Sequence, residues 1–96
     1  MKLTQEVITE KLKELYGWQY VHNGIEKNYV FNNFIEAFGF MSRVALLAEK
    51  YDHHPDWSGV HNTVKIRLNT HEVDGITAND IEMATKIDEN RKFDTI

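Results

Sequence analysis

At 96 residues, with 42% hydrophobic and 27% charged side chains, the chain has the composition of one globular domain spanning 1–96 rather than of a disordered or membrane polypeptide. Its formal net charge of -4 is distributed over mixed signs, which argues against direct nucleic acid binding, because phosphate contact needs a clustered positive field. Cysteine is absent, so a disulfide framework and a thiolate zinc site are excluded, and any metal would need His and carboxylate ligands.

The opening Met1-Lys2-Leu3-Thr4-Gln5-Glu6 lacks the apolar run of a signal peptide, and no stretch approaches the roughly 18 apolar residues of a membrane span. A cytoplasmic protein without membrane association is expected. A chain this short buries only about 60 to 65% of the surface its unfolded form exposes, which makes oligomerisation a natural supplement to stability.

Thr4 is placed to cap a first helix running to about Tyr16, with Val7, Ile8, Leu12 and Leu15 on one face and Gly17 ending it. From Trp18 to Phe31 aromatic and β-branched residues flank Asn23-Gly24, a favoured two-residue turn, and predict a hairpin. Asn33 with Glu36 forms a capping-box signal before the longest apolar-periodic segment, a central helix from Phe34 to about Lys50. Phe34, Ile35, Phe38, Met41, Ala45 and Ala48 are read as its core stripe. Phe40, Val44 and Leu47 widen it beyond what one sheet contact requires, which suits either a broad core face or a helix that also packs on a partner subunit.

Pro55 forces His54 into an extended conformation and ends that helix before it, so residues 52 to 58 are expected as a loop. Val64, Ile66 and Leu68 alternate with Lys65, Arg67 and Asn69 as in a strand with one buried face, and Gly59 to His61 are read as its short partner strand. After a turn at Gly75, Thr77 and Asp80 make a second capping box, with Ile76 and Ile81 at the staple positions. The last helix then runs to about Asn90 and buries Ile81, Ala84 and Ile87, and the tail from Arg91 to Ile96 is expected to fray. The order α-β-β-α-β-β-α predicts an α+β two-layer sandwich, a four-stranded antiparallel sheet with helices on one face.

Three imidazoles, His53, His54 and His71, lie close together in the chain, and histidine can donate or accept a proton near neutral pH without a large pKa shift. His71 at the end of a predicted strand and Asp80 in the first turn of the last helix both border the His53-His54 loop in this reading. Trp57 supplies a flat apolar wall. Asp80 also has a purely structural reading as a capping carboxylate. His22 and His61 are read as surface or hairpin residues. A His-based metal site from His53, His54, His71 and Asp80 is the less favoured alternative, because adjacent residues in extended backbone point to opposite sides.

Ala37-Phe38-Gly39-Phe40-Met41, Arg43-Val44-Ala45, Ala48-Glu49-Lys50, Asp52-His53-His54-Pro55 with Trp57, Thr70-His71, and Gly75 through Asp80 to Ile87 together resemble the pterin-4a-carbinolamine dehydratase family. The resemblance covers about Phe31 to Ile87. It implies dehydration of a 4a-hydroxytetrahydropterin to quinonoid dihydropterin in tetrahydrobiopterin recycling, with His53, His54, His71 and Asp80 as catalytic residues. Glu49, Pro55, Trp57 and Thr70 would bind the pterin, with no metal and no organic cofactor. It further implies a homodimer or homotetramer assembled through helices. An alternative class is a helix-mediated interaction module, since some animal relatives stabilise dimers of a transcription factor. Asn79 and Asn69 depart from the family's usual residues at the edge of the site.

Overall fold

The computed structural model describes residues 1–92. Its elements are α1 (Gln5–Leu12), β1 (Gln19–Val21), β2 (Gly24–Val30), α2 (Phe34–Tyr51), β3 (Asp56–Val60), β4 (Thr63–Leu68) and α3 (Ala78–Arg91), and the strands form one antiparallel sheet in the order β1-β2-β4-β3. This is the α+β architecture and element order that the residue pattern predicts. Of the tail expected to fray, Arg91 closes α3 and residues 93–96 lie outside the described residues.

Local chemistry sets most of the boundaries. Thr4, Asn33 and Thr77 cap the three helices through their side-chain oxygens, and Thr77 with Asp80 completes a reciprocal capping box. α1 stops at Leu12, short of the expected Tyr16. Turns carry the chain on to Gly17, whose φ of +87° suits glycine, and Leu15 is buried from outside the helix.

The first hairpin turns one residue earlier than expected. His22 and Asn23, both at positive φ, are its central pair, and Gly24 already pairs with Val21. Gly24 is needed there for a different reason: a Cβ would lie 2.4 Å from the Arg67 guanidinium, which donates to the carbonyls of Val21 and His22 and ties the turn to β4.

β3 begins at Asp56, so the expected loop of 52–58 shrinks to the four residues before it, and Trp57 and Ser58 are strand residues. His61 stands at positive φ in the turn to β4 rather than in the strand. β3 is an edge strand and is exposed throughout.

The core lies between sheet and helices. Val64, Ile66 and Leu68 of β4, with Ile25 and Tyr29 opposite them on β2, meet Ala37, Phe40, Met41, Val44 and Ala48 of α2 and Met83, Ala84 and Ile87 of α3. α2 therefore buries only part of the expected stripe, Met41 and Ala48, together with Phe40 and Val44 of its widened surface. Phe40 and Val44 are fully buried, whereas Phe34, Ile35, Phe38 and Ala45 are exposed. On α3, Met83 is buried and Ile81 only partly so. Asp88 joins α3 to the hairpin, accepting from Trp18 Nε1 at 3.1 Å, Lys27 Nζ at 2.9 Å and Tyr29 OH at 2.6 Å. Burial, then the hydrogen bond and charge of Asp88, push the Tyr29 phenol well above the usual tyrosine range.

Candidate active site

α2 ends in the left-handed Asp52, whose N–H donates to the Ala48 carbonyl, and His53 N–H also reaches that carbonyl at 3.1 Å. This tight end turns the chain so that His53 enters the protein and His54 stays outside.

His53 Nε2 lies 2.6 Å from Oδ1 of Asp80, whose side chain is completely buried. The other carboxylate oxygen accepts from Thr70 Oγ1 at 2.7 Å and from the Thr77 N–H at 2.9 Å. Because Thr70 spends its one hydroxyl hydrogen on Asp80, Thr77 donates across the 2.8 Å contact between the two threonine hydroxyls and accepts from Asn79 N–H. The buried carboxylate thus has partners on both oxygens, which is what makes its burial tolerable. An ionised Asp80 can only accept, so His53 carries its hydrogen on Nε2, and Nδ1 is the ring nitrogen left for other chemistry.

The capping and catalytic readings of Asp80 are compatible, since one oxygen serves Thr77 and the other serves His53. Thr70 reaches this network from the end of β4. His71 follows it on the surface, opening a turn in which Val73 N–H returns to the Thr70 carbonyl and a Thr70–Gly75 bridge closes the loop. His71 is therefore a turn residue rather than a strand end. It is the chain neighbour of Thr70, and its carbonyl accepts from the Asp74 N–H at 3.2 Å.

His54 Nε2 is 2.8 Å from Glu49 Oε1, both exposed. Pro55 follows as a half-buried residue leading into β3. Trp57, 56% exposed, lines an apolar groove with Phe34, Phe38 and Met41 and a polar depression with Asp56, Lys65 and Arg67. The cavity beside His53 has other walls: Tyr51, Asn79, Glu82, Met83 and Lys86. Neither His54, His71 nor Trp57 belongs to that lining.

Tyr51, Glu82, Met83 and Lys86 escaped the sequence reading. A usable signal existed, because Asn79, Glu82, Met83 and Lys86 repeat at i, i+3, i+4 and i+7 on one face of a helix. Among the described residues, no group of three His, Cys, Asp or Glu side chains is arranged to hold a metal ion, and no helix is long and apolar enough to cross a membrane.

The family model described as pterin 4 alpha carbinolamine dehydratase matches residues 1–90. A relative from Mesorhizobium japonicum, provisionally named pterin-4-alpha-carbinolamine dehydratase, is 53% identical over 88 residues, 90% of each chain. One from Prochlorococcus marinus with the same provisional name is 58% identical over 72 residues, 75% of this chain and 76% of its own. The crystal structure of a transcriptional coactivator/pterin dehydratase from Brucella melitensis superposes with a TM-score of 0.92 at 42% identity, covering 95% of this chain and 99% of the other. A pterin dehydratase-like RuBisCO assembly factor of the alpha-carboxysome shares the fold at a TM-score of 0.65 and 19% identity, over 77% and 86% of the two chains.

Proposed function

The chain belongs to the pterin-4a-carbinolamine dehydratase family, and from that membership we propose that it eliminates water from a 4a-hydroxytetrahydropterin, giving the quinonoid dihydropterin by histidine acid–base catalysis. The observation that carries this reading is the His53–Asp80 pair: an imidazole at a cavity wall with its tautomer set by a fully buried carboxylate. In the reaction the C4a–O bond breaks, the hydroxyl leaves as water after accepting a proton, and a ring nitrogen gives up a proton as the π system reforms. Each transfer suits a positioned imidazole. His53, through Nδ1, serves one of them. His54, braced by Glu49, and His71 provide the other proton route, and Thr70 holds Asp80 in place. Pro55 and Trp57 shape the approach to the imidazoles. The chemistry is complete with protein side chains and the substrate alone.

Recycling of tetrahydrobiopterin in the cytoplasm is the physiological setting that fits this reaction, and a chain without cysteine suits that compartment. Assembly through helices belongs to the same reading. Phe34 and Phe38 of α2 are exposed and share a groove with the exposed Trp57 and Val60 of the edge strand, an apolar surface on which a second copy can pack. Helix-mediated binding of a different protein remains the second reading, favoured by that same surface.

The decisive measurement is decay of a 4a-hydroxytetrahydropterin generated in situ. The wild type accelerates it, and His53→Ala, His54→Ala and His71→Ala each lower the rate by about 10²-fold or more. A wild type that leaves the decay unchanged removes the proposal.

A further inference from the structure

The cavity beside His53 contains an acidic group with no structural task. Asn79, Glu82, Met83 and Lys86 form one face of α3, Tyr51 closes the opposite side from the last turn of α2, and His53 forms the wall between them. Met83 is buried and makes an apolar floor. Lys86 is the cation one turn from Glu82, but its Nζ sits 4.8 Å from the centroid of the Tyr51 ring, which Lys50 also approaches at 5.5 Å. Glu82 is exposed and has neither a hydrogen bond nor an ion pair among the described residues. The space is a small, partly open cleft bounded by these side chains.

A carboxylate at the mouth of a narrow slot recognises a flat group that presents two parallel N–H donors, as it does with guanidinium. The acylguanidine edge of a pterin, its 2-amino group and N3–H, is such a group. We infer that Glu82 is the specificity residue for the pyrimidine end of the substrate, accepting from the 2-amino group and N3–H, while Asn79 lies beside the same edge and the Tyr51 ring walls the slot. The reacting ring is then turned toward His53. This rests on the pterin dehydratase reading above and adds to it the part of the pterin that is read and the residue that reads it. Asn79 is neutral and adds no charge beside Glu82.

The test compares pterin with lumazine, in which a 2-oxo group replaces the 2-amino donor, by fluorescence titration of wild type and Glu82→Gln, alongside dehydration kinetics of both proteins. An exposed isosteric change on a helix face leaves the fold intact, which circular dichroism checks. Wild type is expected to bind pterin at least about tenfold more tightly than lumazine, and Glu82→Gln to bring the ratio near one, with the kinetic loss falling on KM rather than kcat. If wild type dehydrates the carbinolamine but Glu82→Gln keeps the pterin preference, this inference fails and the function stands. Loss of discrimination among C6 substituents instead would place the side chain in the slot and also overturn it. A wild type that neither dehydrates nor binds pterin refutes both.

Discussion

His53 Nε2 and Asp80 Oδ1 are 2.6 Å apart although 27 residues separate them in the chain, and the same carboxylate caps α3 through Thr77. One buried group therefore fixes both the start of a helix and the tautomer of an imidazole. Movement of α3 would disturb the imidazole directly, which couples the local stability of the helix start to the placement of His53.

Asp80→Asn separates these two duties. The amide oxygen can still accept from Thr77 and Thr70, so the helix start survives at a cost of about 1–2 kcal/mol. The amide nitrogen must face His53 and donate, which forces the imidazole hydrogen onto Nδ1 and removes the free nitrogen. Dehydration is expected to fall about 10²- to 10⁴-fold, while far-UV circular dichroism stays native. Undiminished turnover in the folded variant would leave Asp80 a capping residue only.

Phe38, 58% exposed beside the 81% exposed Ile35, probes assembly. Light scattering across a concentration series should show wild type as a dimer or larger, and Phe38→Glu should shift it to smaller species, because a buried unpaired carboxylate costs several kcal/mol at an apolar contact. A wild type that stays monomeric at every concentration argues against a helix-mediated interface.

Tyr29 gives an alkaline signature. Its folded pKa is raised by burial and by Asp88, so the folded protein holds this proton after the unfolded chain, with an ordinary tyrosine value of about 10, has released it. That contribution is fully present below about pH 10 and is lost as pH rises through the folded value. Tyr29→Phe is expected to lose about 1–2 kcal/mol of unfolding free energy at pH 7 and to approach wild type in urea melts near pH 11. Parallel curves at both pH values would contradict the assignment.

Glu26 gives the acid counterpart. Burial raises its pKa, but hydrogen bonds and charge from Lys65 and Arg67 outweigh burial and hold the carboxyl below its usual range, with Arg67 Nη1 at 2.9 Å and Lys65 Nζ at 3.2 Å. A depressed folded value means stabilisation present above the unfolded carboxylate pKa, about 4.3, and lost as pH falls through the folded one. Glu26→Gln should cost about 1 kcal/mol at pH 7, with the gap closing near pH 3. An unchanged gap at pH 3 would refute the charge origin.

The residue pattern by itself determined what is local: the caps at Thr4, Asn33 and Thr77, the alternation of Val64, Ile66 and Leu68, and the end of α2 before Pro55. A cap is a bond over three residues and a strand face repeats every second residue, so both are written in short windows. It also marked His53, Asp80 and Thr70, although not the bonds that join them. Only the tertiary structure decided which of two overlapping apolar stripes on α2 went inward, Phe40 and Val44 rather than Phe34 and Phe38, because helical periodicity fits either and the sheet selects one. It alone brought Trp18, Lys27 and Tyr29 to Asp88 across 59 to 70 residues. It alone opened the Glu82 cavity against Tyr51, since contacts between distant segments arise from packing, and packing leaves no repeat in the chain to read.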